Sequence, residues 1–168
     1  VDAAAAQAEV VVKQRIINQR LIPNPIEPRG VVADYDKGSD QLTIWTSTQV
    51  PHLVRLAVAI STGPPEHQMR VVAPDVGGGF GSKIAFYADE VITVFCSIKV
   101  GRPVKWTAER TESFVADAPG RGRLDRATLA LTKDGMITAF RIDALADMGA
   151  FLNAVNPSNR AGLRLTLP

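Results

Sequence analysis

Two spacings of apolar residues alternate along this chain, and the changes from one to the other mark its elements. Val31-Val32-Ala33-Asp34-Tyr35-Asp36 and Gln41-Leu42-Thr43-Ile44-Trp45-Thr46 are rich in β-branched and aromatic residues and flank the turn-forming Lys37-Gly38-Ser39-Asp40, so they predict a β-hairpin. Upstream, the β-branched run within Glu9 to Ile17 favours a further strand. Between them, Pro23, Pro25 and Pro28 remove donors and fix φ, which makes Leu21 to Gly30 a rigid loop. At Pro51 the period changes. Leu53, Leu56, Ala57 and Ile60 fall at i, i+3, i+4 and i+7, one face of a helix that stops near Gly63-Pro64-Pro65. Met69 to Val72 then resumes as a strand.

Beyond that strand, Ala85 to Val100 is apolar nearly all round and predicts a buried rather than an amphipathic helix. Val104 to Thr107 reads as a strand and Glu109 to Phe114 as the start of a short helix, broken by Pro119-Gly120-Arg121-Gly122. Arg126 to Leu131 and Met136 to Ile142 flank Lys133-Asp134-Gly135, a second hairpin signal. Met148 to Pro168 has no clear period. The pattern predicts an α+β (α/β) fold, a mixed sheet with hairpins around one strand–helix–strand unit, as a single domain over residues 1–168. If that unit is a parallel crossover, the strands ending near Trp45 and Val72 finish at the same sheet edge, and Gln49 and Phe80 share a rim.

The chemistry is concentrated where the second of those strands ends. In Val76-Gly77-Gly78-Gly79-Phe80-Gly81-Ser82-Lys83 the glycines present backbone rather than side chain, as positive φ or a very close approach requires. A dinucleotide loop of Gly-x-Gly-x-x-Gly does not fit, since the sixth place is Ser82 counted from Gly77 and Ile84 counted from Gly79. A P-loop does not fit either, because Ser82 separates Gly81 from Lys83 and Ile84 follows the lysine. What remains is a loop offering several N–H groups beside a helix start, suited to an anionic oxygen or oxo group.

Composition narrows the classes. At 168 residues and 46% hydrophobic, the chain can bury one core but not two large ones. A net charge of +2 with acids and bases interspersed is no nucleic-acid footprint, and Arg110, Arg121, Arg123 and Arg126 read as a solvated or subunit-facing surface. Cys96 lacks a disulfide partner and reads as core, while His52 and His67 lack metal-ligand spacing. No secretory signal and no apolar run of about 20 residues is present, so a cytoplasmic setting is expected.

Four motifs in order, Pro25-Ile26-Glu27-Pro28-Arg29-Gly30, Ser47-Thr48-Gln49, the Gly77 to Lys83 loop and Arg102-Pro103-Val104-Lys105-Trp106-Thr107-Ala108-Glu109-Arg110, resemble the large subunit of the molybdenum hydroxylases. That family includes xanthine dehydrogenase, aldehyde oxidase and aerobic carbon monoxide dehydrogenase, and the chain is most similar to the carbon monoxide dehydrogenase-like group. The resemblance implies a fragment, the N-terminal portion of the molybdopterin-binding region of a longer large subunit. It implies an oxidoreductase that hydroxylates or oxidises carbon monoxide, an aldehyde or an N-heterocycle with water as oxygen source. The alternative is a free-standing, non-catalytic assembly or interaction domain.

The family's cofactors would be molybdenum with molybdopterin cytosine dinucleotide, and iron–sulfur clusters and FAD on partner subunits. Its partners would be an iron–sulfur small subunit, an FAD-binding medium subunit and the remainder of the large subunit, in a dimer of heterotrimers without nucleic acid or a transmembrane segment, cytoplasmic or at the inner face of the membrane. By resemblance, the Gln49 amide donates toward an oxygen ligand of molybdenum, and the backbone of Gly78, Gly79, Phe80 and Gly81 lies against the cofactor. No residue here ligates the metal directly. None is catalytic, because the family's general base lies near the far end of the large subunit, and the isolated chain is expected to be inactive. Glu27 and Glu109 read as hydrogen-bonding groups in rigid turns, Glu90 as a helix-surface group, and Asp75 borders the loop with its role open. Ile84 stands where xanthine-oxidising relatives carry a substrate-facing glutamate, which disfavours a purine.

Overall fold

The computed structural model describes residues 1–7, 12, 14–146 and 162–167. In chain order the elements are α1 (Asp2–Ala6), β1 (Gly30–Asp36), β2 (Gln41–Thr46), α2 (Pro51–Thr62), β3 (Met69–Val72), α3 (Ala88–Val100), β4 (Val104–Thr107), α4 (Arg110–Ala116), β5 (Arg123–Leu131), β6 (Ile137–Ala146) and β7 (Gly162–Leu167). The chain divides into two compact units, Ile22–Gly120 and Val1–Leu21 with Arg121–Pro168.

The first unit is built on a mixed sheet of order β3-β2-β1-β4. β1 and β2 form the expected hairpin, from Val31 opposite Thr46 to Asp36 opposite Gln41. β4 adds antiparallel to the outer side of β1. β2 and β3 run parallel, with Trp45 opposite Val72, so β2–α2–β3 is a parallel crossover. Alternation puts Val31, Ala33, Leu42 and Ile44 on one face, and they form the core with Val54 and Val58 of α2, Val94 of α3 and Met69.

α2 turns a different stripe inward from the one its spacing singled out. Val54 and Val58 are buried, whereas Leu53, Leu56 and Ile60 are exposed. Both stripes are apolar at helical spacing, and the compact valines, with Ala59 beside them, sit against the core. α3 departs further. The chain before it makes a single 3-10 turn at Ser82–Ile84, Ala85 is extended, and the helix starts at Ala88. Its buried residues are Glu90, Thr93, Val94 and Ser97, while Ile92, Phe95 and Val100 are exposed. The reason is hydrogen bonding. Ser97 Oγ accepts the Tyr35 N–H at 3.1 Å and donates to the Arg102 carbonyl at 2.9 Å. Cys96 on the same helix is half-buried rather than core. α4 starts as expected, with the Glu109 N–H donating to Glu112 Oε2 at 2.7 Å.

The second unit is an antiparallel sheet of order β5-β6-β7. β5 and β6 form the expected hairpin, with Gly135 at φ +87° in its turn and a bulge at Ala130/Leu131. β7 pairs with β6 inside the tail that shows no period in sequence. The strand expected within Glu9 to Ile17 is not formed at Val12 or at residues 14–17, which have no pairing partner and leave Val12, Ile16 and Ile17 exposed; the rest of that run lies outside the described residues. Among the described residues no helix is long and apolar enough to cross a membrane.

Candidate functional site

The parallel pairing of β2 with β3 delivers the two segments that follow them to one edge. Ser47-Thr48-Gln49 leaves β2 and the glycine loop leaves β3, and hydrogen bonds join them. The Gln49 N–H donates to the Lys83 carbonyl at 3.0 Å, and Thr48 Oγ1 donates to the same carbonyl at 3.2 Å. Gln49 Oε1 accepts the Gly81 N–H at 3.0 Å. Gln49 and Phe80 therefore share the rim that a parallel crossover requires.

The loop between is shaped by its backbone. Gly78, Phe80 and Gly81 have φ of +93°, +52° and +92°. The left-handed conformation costs an L-residue about 1–2 kcal/mol, which glycine avoids and Phe80 does not. Phe80 is held there by its neighbours: the Ser82 N–H and Oγ both donate to the Gly79 carbonyl at 2.9 Å, and Gly81 is tied to Gln49. Its ring projects into solvent, 75% exposed. At Gly79 a Cβ would lie 2.6 Å from Gln49 Cδ, and at Gly77 a Cβ would lie 2.6 Å from Glu27 Cβ. Those two glycines allow contact that no larger residue permits.

The pairing leaves three donors over. Among the described residues, the N–H groups of Gly79 and Phe80 and the Gln49 amide NH2 have no acceptor. The Gly81 N–H can only donate, so the carboxamide oxygen must face it and the NH2 must turn away. Gln49 and Phe80 are exposed at this rim and Gly79 is buried under the Gln49 side chain; three unfilled donors, no side chain at Gly79 and a neutral amide suit an oxygen-rich, anionic ligand. This is the chemistry of a molybdopterin group, and the residues fit it.

Behind the rim sits a carboxylate. Glu27 Oε2 accepts from the Gly77 N–H at 2.7 Å, from Ser47 Oγ at 3.0 Å and from Lys83 Nζ at 2.8 Å, and the Lys83 side chain is wholly buried. Burial alone would push the Glu27 carboxyl up, but Lys83, the Gly77 N–H and Ser47 together hold it below the ordinary carboxylate value. The reading of Glu27 as a hydrogen-bonding turn residue is thus met in geometry.

Glu90 is a correction. Rather than lying on a helix surface, it is 4% exposed, accepts from Thr46 Oγ1 at 3.2 Å and from the Tyr87 N–H at 3.2 Å, and burial pushes its carboxyl up. Asp75 is exposed. Arg110, expected on a solvated surface, donates to Asn24 Oδ1 at 2.5 Å and to the Ile26 carbonyl at 2.8 Å, bracing the proline loop.

The supporting residue that sequence reasoning missed is Arg29. It is 1% exposed, pairs with Asp117 at 2.6 Å and Asp89 at 3.1 Å, and stacks on the Tyr87 ring at 3.8 Å. Tyr87 in turn donates to the Ser82 carbonyl at 2.6 Å, so this node reaches the far end of the glycine loop. The available signal was an arginine in a proline-locked loop, but its acidic partners lie far off in sequence.

A family profile for the molybdopterin cofactor-binding domain matches residues 1–166. The carbon monoxide dehydrogenase large chain of Afipia carboxidovorans is 43% identical over 157 residues, covering 94% of this chain and 19% of that one. The nicotine 6-hydroxylase large subunit of Paenarthrobacter nicotinovorans is 36% identical over 151 residues, covering 90% and 18%. The crystal structure of quinoline 2-oxidoreductase from Pseudomonas putida 86 superposes with a TM-score of 0.77 at 35% identity, covering 91% of this chain and 20% of that one. The chain thus spans about a fifth of the length of the relatives it matches. With that profile running over nearly every residue, and a loop whose unfilled donors suit the group the profile is named for, the chain belongs to the molybdopterin cofactor-binding domain family.

Proposed function

We propose that this chain forms one wall of the cofactor site in a molybdenum hydroxylase, as the N-terminal portion of the molybdopterin-binding region of a longer large subunit. The observation that carries this reading is the rim with its three unfilled donors, the N–H groups of Gly79 and Phe80 and the NH2 of Gln49. Gly78 and Gly81 supply the turns that present them. In the proposed complex the dinucleotide form is the cytosine one. The bound group supplies the redox centre that takes two electrons from the substrate while water supplies the oxygen, with iron–sulfur clusters and FAD on the small and medium subunits carrying the electrons away.

The residues of this chain bind and orient rather than transfer protons. Gln49 donates without a change of charge, and fixed N–H dipoles favour negative charge on the ligand without reorganising. In this reading the base is supplied by the rest of the subunit. Relatives named for carbon monoxide, nicotine and quinoline bracket the substrate as a small carbon centre. We assign the complex, as a dimer of heterotrimers, to the cytoplasm.

The test is Gln49→Ala in the complete enzyme. It should slow turnover by about ten- to a hundred-fold, the loss of a hydrogen bond to a charged group, with a melting temperature lowered by no more than about 4 °C. Unchanged kinetics would remove Gln49 from the site. For the isolated chain, metal analysis should find molybdenum well below one per chain, and a stoichiometric content would show that these residues hold the cofactor alone.

A further inference from the structure

We infer that Glu27 is a positioning residue, a single carboxylate oxygen that clamps both ends of the glycine loop and the approach to Gln49. The inference deepens the cofactor-facing reading above and rests on it for its consequence, though not for its geometry. Glu27 Oε2 takes the Gly77 N–H at the loop's entry, the Lys83 ammonium at its exit and the Ser47 hydroxyl two residues before Gln49. The peptide of Glu27 is tied to the same place, since its N–H donates to the Gly77 carbonyl at 3.3 Å. Pro25 and Pro28 restrict the backbone on either side, so the carboxylate is a fixed post rather than a mobile acceptor.

The three attachments have different characters. All three bonds end on the carboxylate and are charge-assisted, but only the one to Lys83 is also an ion pair, and the Lys83 ammonium, wholly buried, has Glu27 as its partner. Removing the carboxylate leaves that ammonium buried and unpaired, which is costly enough to displace Lys83. Lys83 cannot move alone. Its carbonyl holds the Gln49 N–H and the Thr48 hydroxyl. Displacing it therefore loosens the hydrogen bonds that set the angle between Gln49 and the loop, none of which touches Glu27. The absence of a Cβ at Gly77, where one would lie 2.6 Å from Glu27 Cβ, is the steric condition for the clamp.

The experiment compares Glu27→Met, Glu27→Met/Lys83→Met and Glu27→Gln with wild type in the intact enzyme and in its cofactor-free form. In the cofactor-free form, hydrogen exchange is read at Gly81, Ser82 and Gln49, amides that do not contact Glu27. The double variant keeps side-chain length without stranding a buried charge, so it guards against simple misfolding of the single one. Glu27→Met should accelerate exchange at those amides by about ten- to a hundred-fold and the double variant, which frees Gly77 and Ser47 without stranding a charge, by less, with β1 and β2 unchanged in both. Glu27→Gln keeps a carbonyl acceptor for Gly77 and should recover part of the protection. Unaltered exchange in the double variant overturns the clamp, whatever the cofactor does.

In the loaded enzyme the molybdenum(V) resonance spectrum should shift, and kcat should fall with KM little changed. Faster exchange with an unaltered spectrum overturns the positioning role. If Gln49→Ala also leaves the spectrum unaltered, the cofactor-facing reading fails separately.

Discussion

Glu27, in a proline-locked loop, and Glu90, in a helix, are carboxylates that the fold treats in opposite ways. Glu27 is held low by Lys83, the Gly77 N–H and Ser47 against the pull of burial, so its contribution to stability is present above the ordinary value of 4.5 and is lost as pH falls through its lowered one. Glu27→Gln should therefore shallow the acid limb of a stability profile measured by urea unfolding. Glu90 is pushed up by burial, so the folded chain takes its proton before the unfolded chain does. Its ionised form is a cost at neutral pH that disappears as pH falls towards 4.5. Glu90→Gln should be at least as stable as wild type at pH 7, with the gap closing in acid; destabilisation at pH 7 that vanishes in acid would mean that the bonds to Thr46 and Tyr87 need the anion. Gly79→Ala makes a third case. Its Cβ must displace the Gln49 side chain, so stability should fall by only about 1 kcal/mol, whereas turnover of the intact enzyme should drop as for Gln49→Ala. Combining the two should add little, because both act on one side chain.

At the level of elements, sequence spacing located α2 but did not orient it. Leu53, Leu56 and Ile60 make an acceptable helical stripe, and so do Val54 and Val58; the sheet took the second. Val58→Ala should cost about 2 kcal/mol by lost burial and a residual cavity, and Ile60→Ala no more than about 0.5 kcal/mol, as denaturant midpoints would show. A reversal of that order would mean that α2 lies the other way round. α3 was misjudged for a related reason. Its composition is apolar on every side, yet its buried face carries Glu90, Thr93 and Ser97, whose partners are the Tyr87 and Tyr35 N–H groups, Thr46 and backbone carbonyls. The bonds of Glu90 to Thr46 and of Ser97 to Tyr35 join residues 44 and 62 positions apart, and no local window contains both halves. The hairpins were legible because their turns are written in adjacent residues, Lys37 to Asp40 and Lys133 to Gly135.

Across the whole molecule, the two units differ in what holds them together. The aliphatic core cluster lies within Ile22–Gly120. In the other unit, among the described residues, the buried hydrophobics are Ala130 and Ala139, and Leu124, Leu129, Leu131, Ile137 and Leu145 are exposed. A three-stranded sheet with so little buried is marginal by itself. Residues 22–120 expressed alone should therefore unfold cooperatively in urea, and amides of β5 and β6 in the full chain should exchange well before those of β1 and β2; the opposite order would place the stable core elsewhere. The sequence by itself determined the turns, the β–α–β order, the glycine loop and the family, because each is carried by neighbouring residues or by motifs in a fixed order. Only the tertiary structure decided which helix stripe is buried, that Glu27 and Lys83 meet in one hydrogen-bonded ion pair, and that Gln49 turns its NH2 away from Gly81. Those outcomes depend on which distant groups meet once β2 and β3 pair in parallel, and burial and charge pairing are properties of that meeting rather than of any stretch of chain.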